Sequence, residues 1–185
     1  MYRILGFVGP SGCGKDTAAF HMGKRRGYHY VTLCTTRPKR NEADNGYHFL
    51  TDEEFLQQVL NGDMLNAQRF RDWYYGLNKD GLVEDKINVL PMSNVMVEQM
   101  LEEKNADIDL KIAYIHTNPK ERLLHIIDRE EEPDCEEVCR RFLSDEIDYT
   151  NNANLLSKVN VVIDNNYNSD FYATVNSLDE LMRTE

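Results

Sequence analysis

The chain has 185 residues and a mass of 21.6 kDa, which suits one globular domain with room for a small inserted subdomain. Apolar residues make up 41% and charged residues 29%, so a packed core is available and a disordered chain is excluded. Against 21 Lys and Arg stand 32 Asp and Glu, a net charge of −11, which excludes attraction to nucleic acid by bulk charge.

In chain order, Arg3-Ile4-Leu5-Gly6-Phe7-Val8 reads as a short buried strand. A turn over 9–14 and a helix over 15–26, stopped by Gly27, follow it. Residues 28–32 are β-rich, 38–46 form a polar loop with Pro, Asn and Gly, and 47–50 are extended. Thr51-Asp52-Glu53-Glu54 matches a capping box and opens a helix to about residue 60. The mixed stretch 64–75 reads as strands, and 87–90, 110–115 and 159–163 as three more buried strands. Helices are predicted over 93–104, 119–129, 135–156 and 169–182. The strand–helix alternation predicts an α/β fold, a parallel sheet with helices on both faces. Residues 33–77 break that rhythm and read as an insert, leaving 1–32, 78–123 and 142–185 as the core.

No apolar run approaches the roughly 20 residues needed to span a bilayer. The N-terminus lacks the charged region and cleavage site of a signal peptide. Four cysteines, Cys13, Cys34, Cys135 and Cys139, do not make a disulfide scaffold; the spacing of Cys135 and Cys139 has no second pair to complete a zinc site. The expectation is a cytoplasmic protein with no membrane and no nucleic-acid partner. The oligomeric state, monomer or homodimer, stays open.

The strongest chemical signal is Gly9-Pro10-Ser11-Gly12-Cys13-Gly14-Lys15-Asp16-Thr17. The spacing Gly-x4-Gly-Lys after a buried strand and before a helix is that of a loop whose backbone N–H groups face a phosphate. The helix dipole adds to them and Lys15 reaches the outer phosphates. Gly9, Ser11, Gly12, Cys13, Gly14, Lys15, Asp16 and Thr17 are therefore the candidate nucleotide-binding set. Asp16 stands where the pattern has Ser or Thr, whose hydroxyl usually touches Mg2+. Its carboxylate suits Mg2+ directly or through water, or it only complements the helix N-terminus; both readings stay open. Of the 21 basic residues, seven lie between Lys15 and Arg40. Lys24-Arg25-Arg26 suits a helix end, whereas Arg37 and Arg40 flank Pro38 in a loop that suits bidentate gripping of phosphate.

Thr35-Thr36-Arg37-Pro38-Lys39-Arg40, Asn45-Gly46-Tyr47-His48-Phe49, Trp73-Tyr74-Tyr75-Gly76 and Val161-Val162-Ile163-Asp164-Asn165-Asn166 follow the phosphate loop in order. In these motifs the chain resembles the guanylate kinases, nearly end to end. The resemblance implies a P-loop core, a nucleoside-monophosphate-binding insert over 33–77 and a lid over 124–141. It implies ATP and Mg2+ as cofactors and a nucleoside monophosphate as substrate. Arg37, Arg40, Tyr47 and Tyr75 match the family's acceptor-phosphate residues. Arg129 resembles the first lid arginine; the second is Arg141 or Arg140, because the spacing is one residue longer than usual. Lys15, Arg129 and Arg141 are then the catalytic candidates, working by charge and position without a covalent residue. Where the family reads guanine with Ser or Thr, Glu and Asp, this chain has Leu33, Asn66 and Ser93, and a further family Asp is Pro91. The resemblance thus implies a kept phosphate grip and an altered base reader. The Gly-Lys-Asp-Thr run also resembles ribose bisphosphate phosphokinases and some phage deoxynucleotide kinases, so another phosphorylated acceptor is the alternative. A non-catalytic scaffold of the same fold is the other class, disfavoured because the phosphate loop is kept.

Overall fold

The computed structural model covers residues 1–185 and describes all except 40, 41, 43, 103–105, 130, 131, 151 and 183–185. Arg40 of the acceptor-phosphate set lies outside the described residues.

The chain runs β1 (Tyr2–Val8), α1 (Lys15–Gly23), β2 (Tyr28–Tyr30), β3 (Leu33–Thr35), β4 (Tyr47–Phe49) and α2 (Asp52–Leu60). It continues through β5 (Met64–Phe70), β6 (Trp73–Asn78), β7 (Ile87–Met92), α3 (Asn94–Glu102) and β8 (Ile108–His116). It ends with α4 (Pro119–Ile127), α5 (Cys135–Thr150), α6 (Ala153–Ser157), β9 (Val161–Asp164) and α7 (Phe171–Leu181). Five strands form a wholly parallel sheet in the order β2-β7-β1-β8-β9. The other four form a second, mixed sheet in the order β4-β3-β6-β5.

Period-two alternation in β1 decides which layer each residue joins. Leu5 and Phe7 pack with Ala18, Ala19 and Met22 of α1 and with Val175 and Leu178 of α7. Ile4 and Val8 pack with Met96 and Val97 of α3, Tyr149 of α5 and Leu155 of α6. Every one of these side chains is buried, so helices cover both faces of the parallel sheet. Among the described residues, no helix is long and apolar enough to cross a membrane.

Two helices differ from the pattern reading. The first ends at Gly23, not residue 26, with Lys24 as its C-cap; Gly23 packs closely on Tyr30, where a Cβ would sit 2.5 Å from Tyr30 Cβ. The helix expected over 135–156 is two helices. Asn152 starts the second by accepting from Leu155 N–H at 2.9 Å, so its side chain serves as a cap. The capping box of α2 is present, with Glu54 N–H donating to Thr51 Oγ1 at 3.2 Å and Thr51 N–H to Glu54 Oε2 at 2.7 Å. Phe55 then anchors α2 by stacking on Tyr74 at 5.4 Å.

Asn88, fully buried in β7, pins the preceding loop to the sheet. Its Oδ1 accepts from Val83 N–H at 2.8 Å, and its Nδ2 donates to Val83 O at 2.9 Å and Arg3 O at 3.2 Å. Asn88→Ala leaves buried backbone groups of Val83 without partners. Urea unfolding of this variant is expected to show a loss of about 2–4 kcal/mol, well beyond the helix- or strand-propensity effect of the change.

Candidate active site

Val8, the last residue of β1, delivers the chain to the loop 9–14. Gly12 and Gly14 have φ of 78° and 99°, left-handed values that favour glycine. There is also no room for a side chain. A Cβ would lie 2.5 Å from Arg122 O at Gly12 and 2.8 Å from Asn165 Nδ2 at Gly14. The loop carbonyls are tied back to the core. His125 Nδ1 donates to Gly12 O at 2.9 Å, while Asn165 Nδ2 and Thr117 Oγ1 donate to Cys13 O at 2.9 and 3.2 Å. With these carbonyls held on one side, the loop N–H groups are left for the other, apart from Cys13 N–H, which donates to Pro10 O at 3.2 Å, and Ser11 N–H, which donates to Asp145 Oδ2 at 2.6 Å. Gly14 is the N-cap of α1 and no side chain caps that helix, so its first amides and its dipole are available to an anion.

Lys15 follows, half-buried. Burial alone would push it down, but negative charge on Cys13, Asp16, Tyr149 and Asp145 would hold it above the usual lysine range. Burial pushes Cys13 up and Tyr149 up to about 12, so both are neutral at pH 7. The two carboxylates are therefore what keeps Lys15 charged. Asp16 is exposed and takes no hydrogen bond from the described residues, so its oxygens are available. Its charge acts on Lys15, on Tyr30 of β2 and on Tyr47 of β4, so strands of both sheets lie within its electrostatic reach. A hard cation fits that donor chemistry. Thr17 is exposed one residue on.

The second sheet gathers three of the acceptor-phosphate candidates. Tyr47 and Tyr75 meet edge to face at 5.9 Å, and the Arg37 guanidinium lies 5.7 Å from the Tyr47 ring and 5.5 Å from Phe49. Arg37 is 7% exposed and donates to Asp44 Oδ2 at 2.8 Å and Pro38 O at 2.7 Å. Leu33 is packed into the core cluster beneath. Asn66, 4% exposed, donates through Nδ2 to Gln99 Oε1, leaving its buried Oδ1 with no hydrogen bond. Ser93 Oγ is engaged on two sides: with the Gln68 amide at 2.9 Å, and with Met96 N–H at 3.1 Å at the start of α3.

Arg129 and Arg141 line one small cleft with Ile126, Asp134, Glu137 and Val138. Arg140 is more exposed and points its Nε and Nη2 to Glu137 at 2.7 and 3.1 Å. Glu137 also accepts from Arg141 Nε at 2.6 Å and, in two bonds, from Arg71 in the β5–β6 turn at 2.9 and 3.2 Å. Three guanidinium groups thus converge on one carboxylate.

Sequence reasoning passed over several residues that shape this region. Asp44 pairs with Arg37, Glu137 collects three arginines, and Gln99 orients Asn66. Arg122, 3% exposed, pairs with Glu146 and lies 4.9 Å from the Phe142 ring, which fastens α5 to α4. Asp145 Oδ2 accepts from Ser11 N–H at 2.6 Å, inside the phosphate loop itself. A signal for the last was available: Arg141, Asp145 and Tyr149 are spaced four apart, one face of a helix.

A family model described as Guanylate kinase matches residues 1–185. The chain is 30% identical over 118 residues to a guanylate kinase of Fusobacterium nucleatum, covering 62% of this chain and 64% of that protein. It is 37% identical over 89 residues to one from Thermotoga maritima, covering 46% of this chain and 42% of the relative. The matched stretches thus span 42% to 64% of the length of these two curated relatives. The crystal structure of guanylate kinase from Anaplasma phagocytophilum superimposes with a TM-score of 0.65 at 19% identity. It covers 98% of this chain and 85% of that one, a likeness of fold.

The buried groups set a pH dependence. Cys13, Tyr47 and Tyr149 all have folded values above the ordinary 9.0, 10.0 and 10.0, chiefly through burial. The unfolded chain therefore loses these protons first as pH rises. Stability is expected to be complete below about pH 8 on this account and to fall progressively above it, as followed by thermal melts from pH 7 to 11. Thiol titration in the same series should find Cys135 and Cys139, both exposed, reacting fast, and Cys13 and Cys34, both buried, reacting only with unfolding.

Proposed function

The chain belongs to the guanylate kinase family, and from that premise we propose that it transfers the terminal phosphoryl group of ATP to a nucleoside or deoxynucleoside 5′-monophosphate, giving the diphosphate. The observations that support the reading are the uncapped, glycine-built amide loop with Lys15 and the Arg37–Tyr47–Tyr75 cluster of the second sheet, whose Tyr47 lies within electrostatic reach of Lys15 and Asp16. One half suits a polyphosphate and the other a phosphate monoester.

In this reading the amides of 9–14 and of the first turn of α1 orient the ATP phosphates, and Lys15 offsets charge on the outer ones. Residues 33–77 act as the acceptor-binding insert, and Arg37, Tyr47 and Tyr75, with Arg40, hold the monophosphate. Arg37 exchanges Asp44 for a phosphate oxygen as it does so. Residues 124–141 act as the lid, and Arg129 and Arg141 bring positive charge over the transferring group. Asp16 is the residue to hold Mg2+, directly or through water, and the ion when bound supplies charge neutralisation at the phosphate oxygens. Two polyanions are thereby positioned against their mutual repulsion, and positioning with electrostatics is most of what phosphoryl transfer requires.

The base reader is where this member differs. With its Nδ2 committed to Gln99, Asn66 offers a base one acceptor, where a carboxylate would offer two to the adjacent N1–H and N2–H2 donors of guanine. The Ser93 hydroxyl is taken by Gln68 and the start of α3, and Leu33 offers no polar atom. We therefore propose that the preferred base is not simply guanine.

The deciding experiment is a panel of nucleoside and deoxynucleoside monophosphates, with ribose 1,5-bisphosphate, assayed for ADP release with ATP and Mg2+. Turnover of at least one monophosphate is expected, with GMP or dGMP preferred by less than about a hundredfold over the others. Turnover of ribose 1,5-bisphosphate alone overturns the acceptor assignment. The change Leu33→Ser, Asn66→Glu, Ser93→Asp should raise kcat/KM for GMP or dGMP relative to the other bases. Lys15→Ala should abolish transfer without unfolding the chain, as judged by circular dichroism. Arg37→Ala should lower acceptor kcat/KM about tenfold or more, with a smaller effect on ATP.

A further inference from the structure

The loop of residues 9–14 already holds an anion that belongs to the chain. Asp145 Oδ2 lies 2.6 Å from Ser11 N, and the Asp145 carboxylate also acts on Lys15. A carboxylate presents two oxygens and one negative charge, so on a loop amide it is a chemical stand-in for a phosphate oxygen pair. It sits there by construction. Glu146, the next residue, pairs with buried Arg122, and Phe142 lies against the same guanidinium, so α5 is seated on α4 beside Gly12. Tyr149, one helical turn beyond Asp145, is buried in the core. The helix is thus fixed on both sides of Asp145.

We infer that Asp145 is a resident anion of the phosphate loop, which the phosphates of a bound nucleotide must displace, and that it thereby sets nucleotide affinity. A polyphosphate and the carboxylate compete for the same N–H donor and the same lysine. Like charges at hydrogen-bond range in a half-buried site repel strongly, so both cannot stay. In the empty loop the same carboxylate has the opposite effect: it relieves a convergence of N–H dipoles and, together with Asp16, balances the half-buried Lys15. Asp145 therefore stabilises the free protein and weakens nucleotide binding.

The inference rests on the proposed nucleotide-binding role of the loop, and the test separates the two. Asp145→Asn keeps the shape without the charge, and Asp145→Ala removes the group while suiting a helix. Dissociation constants for ATP and ADP are measured by titration calorimetry on the wild-type chain and both variants, alongside Tm without nucleotide. The expected result is roughly tenfold tighter ATP and ADP binding in both variants, with a lower Tm in the free state and a larger rise in Tm on adding ATP. A purely structural Asp145 would lower Tm and leave affinity unchanged, and a substrate-contacting one would weaken binding; either result overturns the inference while wild-type binding upholds the loop. A wild-type chain that binds neither ATP nor ADP overturns the loop assignment and the inference together.

Discussion

The phosphate loop imposes the constraint that most of the structure answers. Backbone N–H groups brought to one point form a small region of positive potential that calls for an anion. Building it takes left-handed backbone at Gly12 and Gly14, where any Cβ would strike Arg122 or Asn165. It also takes acceptors turned away, which is the work of His125, Thr117 and Asn165 on the carbonyls of Gly12 and Cys13. These donors come from β8–α4, α4 and the end of β9, so the order of strands around β1 is what brings them together. A parallel sheet with β1 at its centre places its neighbours' C-terminal ends around the loop, which is where a ligand of such a sheet binds.

The acidic composition acquires a structural meaning at the cationic groups. Arg37 is matched by Asp44, the loop amide of Ser11 by Asp145, and Arg71, Arg140 and Arg141 by the single carboxylate of Glu137. Half-buried cations need counter-charge whether or not a ligand is bound. On the kinase reading, the surplus of carboxylates supplies it in the free state, and phosphate takes it over in the bound state. The exchange is not free of cost, since each displaced carboxylate must return to water or find another donor, and affinity is lower than the number of positive groups suggests.

Much of this was legible in the sequence because it is local. The phosphate loop, the capping box at Thr51 and Glu54, and the alternation of strand and helix are patterns within a few residues. The resemblance carried Arg37, Tyr47 and Tyr75 to one place, and the structure brings those three together. What the sequence did not disclose depends on distant partners. The parallel pairing of Leu33–Thr35 with Tyr47–Phe49 bridges a polar loop, and three-residue strands carry almost no periodicity. The donor–acceptor sense of Asn66 could not be read either. An amide has one of each, and which of the two is left without a partner is decided by Gln99, more than thirty residues away in α3. Asp145 lies on an acidic helix, and its partner Ser11 is 134 residues away in the chain.

The β5–β6 turn carries the same logic to the far end of the second sheet. Arg71 has φ of 57°, a conformation that two-residue hairpin turns ordinarily give to glycine and that costs other residues about 1–2 kcal/mol. The local contact in the hairpin is a weak one: the guanidinium lies 5.5 Å from the Phe70 ring, and the ladder runs without Arg71 from Phe70–Trp73 inward. Its guanidinium instead makes a two-point pair with Glu137 of α5. Two parallel charged hydrogen bonds offset strain of that size even when partly exposed. The turn is therefore shaped by a partner in another part of the chain. The second sheet and α5, which meet the phosphate loop separately through Tyr47 and Asp145, are joined to each other at Arg71 and Glu137. Glu137 and Asp145 are about two turns apart on one helix, so α5 ties the phosphate loop to the sheet that carries the acceptor-site candidates.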